Sequence, residues 1–467
     1  MNLFSNLDKF SSNTCVIDED YKEFSYKDLI LLSEFITLKI KSRSIVFLLC
    51  NNSYEFLASY IGLIRKKIVP FLVGKDIKES DLNKLIKLYK PQFIIKPYDV
   101  NFKNSFIEFK NINNNFQILK TNYKIYKIQK ELALLLSTSG STGSPRFVKI
   151  SYSNVLDNTK KIAKFLKISV KDRAITTLQP NYVYGLSIIN SHLIKGALIV
   201  MCKASLVEKR FWNTLKKTKV TTFGGVPYTY KILKKLKFEK MKLPHLKYIT
   251  QAGGKLNSNL LNELILVSKK KKIKLVIMYG QTEATGRISY LDWSYIEKKR
   301  GSIGKPIQGG KFYFNNKNKL DDKKSNHGEL VYAGKNVMLG YAIEKNDLNK
   351  NNYTQKLFTG DIARKDEDGF YYIEGRNSRF IKITGFRFNL DEIEEELIKK
   401  KVDCICTGKE DKLQIFLERK ISHKRLTQLI LKRFNIHRVY IHIYDKVEIP
   451  RNENGKVLYE QLNNRIN

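Results

Sequence analysis

The stretch from Leu132 to Ser151, LALLLSTSGSTGSPRFVKIS, constrains this chain more than any other. Leu132 to Leu136 form an apolar run of buried-strand length, which breaks into Ser137, Thr138, Ser139, Gly140, Ser141, Thr142, Gly143, Ser144 and Pro145. A loop of small, hydroxylated and glycine residues lets main-chain N–H groups converge on an anion, while the hydroxyls add further donors. That is phosphate-binding chemistry. The spacing is not G-x-x-x-x-G-K-[ST], because Gly143 follows Gly140 by three residues and has no lysine beside it. A P-loop nucleoside triphosphatase is therefore disfavoured. A flexible Ser/Gly linker shares the composition. Linkers, however, are seldom fed by a tight apolar strand and followed at once by strand-like Arg146, Phe147, Val148, Lys149 and Ile150. The segment reads as strand, phosphate loop, strand.

The flanking sequence repeats an alternation of strands and helices. Before the loop come strands at Cys15–Ile17, Ser44–Cys50, Ile68–Val73 and Gln92–Ile95. Between them lie a helix from Tyr26 capped by Ser25, a helix over Ser53–Ile64 and a helix from Ser80. The first of these helices is expected to bury Leu29, Leu32, Phe35 and Ile36. Asn101 to Lys130, polar and Asn-rich, reads as a surface stretch. After the loop, Ser153 is the expected cap of a helix running through Leu166. Strands then follow at Ala174–Leu178, Leu198–Met201, Thr221–Gly224, Tyr248–Ala252 and Lys274–Met278, with helices at Leu206–Lys216, Pro227–Leu236 and from about Asn257. Such alternation implies a parallel sheet wrapped by helices. The carboxyl ends of the strands carry STSGSTG, PNYVYG, QAGG and YGQTE, and in open α/β sheets ligands bind at that edge. Tyr182, Tyr184 and Gly185 at one such end are pocket-lining material or core packing.

Composition bounds the partners. A chain of 467 residues with 42% apolar content can bury a large core and is too long for one ordinary domain. Its net charge of +40, from 85 basic and 45 acidic residues, would suit nucleic acid or an anionic membrane surface. The lysines are spread along the whole length, however, and Asn and Ile are also abundant, as an A/T-rich coding sequence produces. No recognised nucleic-acid module or stacking-aromatic pattern accompanies the charge, so no specific nucleic-acid partner is expected. The run Lys269–Lys272 reads as a solvated helix end. Five cysteines, an odd number, argue for a reducing compartment, and Cys404 and Cys406 read as one face of a strand, not a metal site. The opening MNLFSNLDKF lacks a basic region followed by an apolar one, and no stretch reaches membrane-spanning length. A cytoplasmic protein is the expectation.

Farther along stand GSIGKPI (Gly301–Ile307), GELVYAGKNVMLGY (Gly328–Tyr341), TGDIARKDEDGFYYIEGR (Thr359–Arg376), FIKITGFRFNLDEIEEEL (Phe380–Leu397) and EIPRNENGKVLYEQL (Glu448–Leu462). With the phosphate loop and YGQTE before them, this ordered series resembles the ANL superfamily of adenylate-forming enzymes, which contains acyl-CoA synthetases, adenylation domains and luciferases. The likeness covers essentially the whole chain from Cys15. YGLSIINSHL, Tyr184–Leu193, also resembles AMP-dependent ligases encoded among bacterial surface-polysaccharide genes.

The resemblance implies an α/β fold: a large N-terminal domain of helix-wrapped sheets, residues 1–376, and a small, mobile α+β C-terminal domain, residues 377–467. It implies ATP-dependent activation of a carboxylic acid to an acyl-adenylate with loss of pyrophosphate, then transfer to a thiol. The acceptor is coenzyme A or the phosphopantetheine of an acyl carrier protein. Thr138, Ser139, Gly140, Ser141, Thr142 and Gly143 would form the phosphate loop, with Ser139 to Gly143 holding the β- and γ-phosphates. Thr282 would take the α-phosphate and Glu283 a Mg²⁺ ion. Tyr279, Gly280, Gly253 and Gly254 belong to turns bordering the nucleotide, Asp361 would accept from the ribose hydroxyls, and Arg376 and Arg387 would lie near ribose and phosphate. Lys456, in a loop that the flanking polar residues make exposed, would stabilise the transferred charge. Tyr182, Tyr184, Gly185, Val226 and Met278 are the candidate acyl-pocket residues. No acidic residue occurs across Pro180–Ser187 to pair with a substrate ammonium, so the acid is expected to lack a free α-amino group. The chain departs from the family's pattern at Phe147, in place of a glycine, and at Ser378, in place of a charged hinge residue. A non-catalytic nucleic-acid-binding protein exploiting the +40 charge is the reading from a different class.

Overall fold

The computed structural model describes residues 3–101, 106–112, 115–137, 146–316, 319–321, 326–350, 353–377, 379–452 and 455–464. Two large sheets face one another across a layer of helices. One is nine-stranded, in the order 305–306, 289–291, 274–279, 248–251, 222–225, 173–175, 198–200, 14–17, 23–25. Its six inner strands run parallel, as the strand and helix alternation requires. The other is eight-stranded, in the order 341–342, 147–151, 132–137, 69–74, 45–50, 93–97, 116–120, 107–112. Helices Tyr26–Thr37, Tyr54–Arg65, Tyr152–Phe165 and Val183–Leu193 supply residues to one core with both sheets, where Val16 and Ile199 meet Val46, Leu72 and Leu134. The outer faces carry their own cores. Helices Lys209–Lys217, Pro227–Lys235 and Ser258–Lys270 cover the nine-stranded sheet, and Glu79–Tyr89 covers the eight-stranded one.

The helix starts follow from short polar side chains. Ser25 accepts from the Asp28 amide at 3.1 Å while the Asp28 carboxylate accepts from the Ser25 amide at 2.8 Å, a reciprocal capping box. Asn257 caps its helix through the Leu260 amide at 2.8 Å. Three expectations need correction. Ser151, not Ser153, caps the helix over Tyr152–Phe165, because Ser151 already holds the extended geometry at the end of its strand. Phe35 is 48% exposed, and its helix buries Ile30 and Ser33 instead, since the face between the sheets is rotated from the one read in sequence. Asn101–Lys130 is not all surface loop: Ile107–Ile112 and Phe116–Lys120 form an antiparallel pair on the sheet edge, burying Ile112, Phe116 and Ile118. Sparse apolar residues inside polar sequence suffice there, because an edge strand buries one face only.

A five-stranded antiparallel sheet, in the order 319–321, 311–316, 327–333, 356–365, 371–376, packs beside the carboxyl ends of the nine-stranded sheet. Beyond Arg376 the chain builds a separate small core from Ile381, Leu390, Ile393, Leu413, Ile415, Leu426 and Ile430. That unit mixes two small sheets with helices Leu390–Lys399 and His423–Phe434. Cys404 and Cys406 are both buried in it as free thiols. It touches the larger body through polar pairs: Lys255 with Glu395 at 2.8 Å, Lys231 with Asp403 at 2.9 Å, and Asn259 Nδ2 with the Ile398 carbonyl at 3.3 Å. Among the described residues no helix is long and apolar enough to cross a membrane.

Candidate active site

The phosphate-loop residues Thr138 to Gly143 lie outside the described residues, but their frame does not. Ser137 pairs with Phe147 across the antiparallel strands at the loop's base. Phe147 is 2% exposed and packs 5.2 Å from Phe71 and 5.5 Å from Tyr89, ring centroid to centroid. The bulky residue that replaces a glycine is thus an anchor in the core, and it pins the loop's exit. Arg146, one residue closer to the loop, lies over Tyr341 at 5.1 Å.

The YGQTE segment leaves strand Lys274–Tyr279 in a tight turn. A Cβ at Gly280 would sit 1.7 Å from the Gly286 carbonyl oxygen, so only glycine lets the chain fold back there. Thr282–Ala284 form a short 3₁₀ turn, fixed by Asn336, whose Nδ2 donates to the Ala284 carbonyl at 2.7 Å. Glu283 presents its carboxylate beside Tyr341, whose hydroxyl donates to Oε1 at 2.9 Å. Among the described residues there is no cluster of three or more potential metal-ligating side chains.

Tyr279, Gln281, Asp361 and Arg376 form one network. The Asp361 carboxylate accepts from the Tyr279 hydroxyl at 2.5 Å, Gln281 Nε2 at 3.2 Å and Arg376 Nε at 3.0 Å. Asp361 is 2% exposed, so it is no surface ion pair. Burial pushes its carboxyl above the usual value, and Arg376 works against that push. The Tyr279 phenol is pushed well up by burial and by the adjoining carboxylate, which keeps it a donor. Arg387 lies in strand Phe386–Asn389, paired with Lys382, and its side chain is outside the described residues.

Lys456 reaches this site from the C-terminal unit. Its loop is a closed turn: the Asn452 side chain accepts from the Lys456 amide at 3.0 Å, and the Asn452 amide donates to the Lys456 carbonyl at 2.9 Å. The turn leans on Tyr228 of the larger body, with Arg451 5.3 Å from that ring and Gly455 so close that a Cβ would lie 2.7 Å from the Tyr228 Cβ. The expectation of an exposed loop is therefore corrected. Docking half-buries Lys456 and sets its ammonium 5.7 Å from the centre of the Tyr182 ring. Burial pushes the amine from 10.5 down to about 8; Arg376 adds to the fall, while Glu283 and Asp361 oppose it.

The acyl-pocket candidates also gather in one place. Tyr182, Tyr184, Val226 and Met278 share a buried cluster with Leu178, Ala252 and Val276. Tyr182 is partly exposed, and its hydroxyl would lie 2.5 Å from a Cβ at Gly253, where φ is +80°. Tyr184 is 1% exposed and donates to the Thr250 carbonyl at 2.7 Å, so its hydroxyl faces inward. Gly185 packs on the main chain, since a Cβ there would meet the Gln179 oxygen at 2.4 Å. At Gly254 a Cβ would instead meet the Pro227 side chain, 3.1 Å from its Cγ. One residue in this cluster escaped the sequence reading: Arg287, whose guanidinium lies 3.9 Å from the centre of the Tyr184 ring. Its signal was an arginine between glycine and an apolar strand, in the stretch Gly286–Leu291.

A family model described as AMP-binding enzyme matches residues 3–342. The chain belongs to this family. Among the relatives of this AMP-binding enzyme is the 2-succinylbenzoate–CoA ligase of Bacillus licheniformis, 28% identical over 345 residues, or 71% of this chain and 70% of that protein. The Bacillus subtilis o-succinylbenzoate CoA synthetase, solved with its acyl-adenylate intermediate, has the same fold, with a TM-score of 0.81 at 21% identity over 99% of this chain and 97% of that one. The anthranilate CoA ligase AuaEII, solved with anthranoyl-AMP, matches with a TM-score of 0.80 at 18% identity over 100% and 97%. The α/β fold with a large N-terminal and a small C-terminal part is thus that of the adenylate-forming enzymes.

Proposed function

We propose that the protein is an AMP-forming acid–thiol ligase, which activates a carboxylic acid with ATP to an acyl-adenylate, releases pyrophosphate and passes the acyl group to a thiol. The observation that carries this reading is the docking of Lys456 from the C-terminal unit, 5.7 Å from the Tyr182 ring and within electrostatic reach of Glu283, Asp361 and Arg376. Family membership and the CoA ligases among the relatives support the same chemistry.

In this reading a carboxylate oxygen of the acid attacks the α-phosphorus of ATP in line, and the bond to the pyrophosphate oxygen breaks. The Lys456 ammonium stabilises the negative charge as it moves between carboxylate and phosphate oxygens. Ser139 to Gly143 hold the β- and γ-phosphates, and Thr282 the α-phosphate. Tyr279 and the Gly253/Gly254 turn border adenine. Asp361, already surrounded by three donors, takes the ribose hydroxyls by exchanging some of them, and Arg376 is then released toward phosphate. Arg387 supports the same end of the nucleotide. Glu283 fits Mg²⁺, because a site with one carboxylate is what that ion needs when phosphate oxygens and water complete its shell. When bound, the ion offsets phosphate charge.

The boundary between the mobile parts falls after Arg376, and the C-terminal unit rotates after adenylation, withdrawing Lys456 and admitting the thiol. Exposed ion pairs such as Lys255–Glu395 contribute about 0 to 1 kcal/mol each, which makes undocking cheap. Coenzyme A is the acceptor in this reading, and the phosphopantetheine of a carrier protein is the alternative, separated from it by a pull-down with a carrier domain. The acid lacks a free α-amino group. Pyrophosphate exchange over fatty, aromatic, hydroxy and amino acids tests the whole scheme: ATP-dependent exchange with non-amino acids is expected, and exchange with α-amino acids alone would overturn the substrate assignment.

A further inference from the structure

Arg287 is a buried cation for which the described residues supply no anion. Its main chain is locked in place, with the amide donating to Asn158 Oδ1 at 3.3 Å and the carbonyl accepting from Asn158 Nδ2 at 2.7 Å and Asn336 Nδ2 at 3.2 Å. The side chain is thereby sent across the Tyr184 ring, with Nε 3.3 Å from Met278 Sδ, and the residue is 2% exposed. A guanidinium carries five N–H donors, whereas a thioether is a weak acceptor and a ring face offers no lone pair. Among the described residues, no carboxylate pairs with Arg287 and no oxygen accepts from its terminal nitrogens. Burial pushes the guanidinium below the usual arginine value, and the opposing pull comes from Tyr184 and Tyr182 rather than from an acid.

Other buried or partly buried cations in the molecule are treated differently. Lys149 donates to the Asp347 and Lys350 carbonyls at 2.7 and 2.8 Å, and Arg43 to the Leu132 and Gln129 carbonyls at 2.9 and 2.7 Å. Arg379 is flanked by Asp391 at 2.5 Å and Glu394 at 2.6 Å. An uncompensated buried charge costs several kcal/mol, and a methionine would fill the same volume without that cost. The position of Arg287 gives the charge a use. Tyr182 neighbours both cations, its ring 5.7 Å from the Lys456 ammonium and 6.2 Å from the Tyr184 ring that Arg287 covers. One cation thus lies against the partly exposed Tyr182 ring and the other against the buried Tyr184 ring.

We infer that Arg287 anchors a second carboxylate on the acid, so that the substrate is a dicarboxylic acid with one carboxylate at Lys456 and the other on the Arg287 guanidinium. This inference rests on reading the pocket as the acid site. A carboxylate matches the guanidinium fork in two parallel hydrogen bonds and replaces the missing counter-charge. Tyr182, partly exposed and beside the Lys456 ammonium, is the side chain that yields to admit it. The same cation repels an α-ammonium, in keeping with the absence of acidic residues across Pro180–Ser187.

The test compares succinate, glutarate and phthalate with their monoamides, which keep shape and lose one charge. Equilibrium binding is measured by calorimetry and turnover by pyrophosphate exchange. At least one diacid is expected to bind about a hundredfold more tightly than its monoamide, the range for charged hydrogen bonds in a buried site. In Arg287→Met that ratio should fall toward one while the melting temperature and affinity for ATP are retained; Arg287→Lys should recover part of it. A binding preference without exchange would keep the anion subsite and remove the adenylation reading. Exchange with monoamides as good as with every diacid, or a preference unchanged in Arg287→Met, would overturn the inference and leave adenylation standing.

Discussion

Replacing Lys456 by alanine separates the two half-reactions. In the docked arrangement the ammonium is half-buried beside Arg376, and its fall from 10.5 to about 8 corresponds to roughly 2 to 3 kcal/mol spent on holding the charge there, allowing for partial exposure. Bound polyphosphate reverses that balance, because it brings negative charge to the same place. ATP should therefore favour the docked arrangement as well as supply the substrate. Removing the ammonium takes away a cation aimed at charge developing in the transition state, a loss of about a hundredfold to a thousandfold in adenylation. Thiol transfer from a supplied acyl-adenylate should be spared, since it uses the rotated orientation. The pH dependence gives a second handle. A lysine is charged below its titration point, so kcat/KM for adenylation, which reports the free enzyme, should fall as pH rises through about 8. Lys456→Arg should lack that falling limb whatever its absolute rate. Equal losses in both half-reactions, or the same falling limb in Lys456→Arg, would refute the assignment.

Glu283→Gln keeps the hydrogen bond from Tyr341 but halves what the group can offer a cation, so exchange at limiting Mg²⁺ should drop about a hundredfold; a wild-type rate there would exclude a metal role. Gly280→Ala forces a Cβ to within 1.7 Å of the Gly286 oxygen, and about 2 kcal/mol or more of stability should be lost in denaturant unfolding. A neutral result would mean that the turn at Gly286 opens freely. Glu395→Lys sets like charges beside Lys255 at the docking surface, so adenylation should slow by a few-fold while thiol transfer does not. Slowing of both steps would show that the contact matters to folding and not to orientation.

The body of the fold was legible where inner strands are continuous apolar runs and helices have polar starts, as at Ile45–Cys50 and at Ser53. Helix ends were harder to read. The chain turns out of its helices through left-handed lysines, Lys67, Lys90, Lys167, Lys219, Lys237 and Lys272, where glycine would have marked the stop. Strain of that kind leaves no sequence signature in a lysine-rich chain. The helix Val183–Leu193 lay hidden inside a motif read for its aromatics, and all but one of its residues are buried, so no polar face betrayed its period. In the candidate site, residues carried by short motifs, such as Asp361 within TGD, could be named from the sequence. Those whose meaning depends on a contact could not. Tyr341 matters through Glu283 and Asn336 through the turn it ties, and both are far from their partners in sequence. Arg287 looked like one cation among many until its surroundings were known.

The excess of cations explains how this chain is built more than what it binds. With 85 basic against 45 acidic residues, the cations cannot all pair with carboxylates, and main-chain carbonyls accept from some of them, as at Lys149 and Arg43. The surface ion pairs are scattered across the molecule, from Lys203–Glu19 to Arg433–Glu396, and do not outline a single basic groove. Nucleic-acid recognition needs cations gathered along a path with the phosphate spacing, usually with exposed aromatics for bases. Many of the large aromatics here are inside: Tyr26, Tyr60, Tyr89, Tyr184, Tyr230 and Tyr332 are all fully buried. The charge should therefore give only weak, sequence-independent attraction that salt removes. Filter binding of duplex and single-stranded DNA and of RNA should show retention at low salt and none at moderate salt, with no preference among sequences. Tight retention at moderate salt that competes with ATP would instead place the polyanion in the site around Lys456 and Arg376, and the charge would then be part of the function.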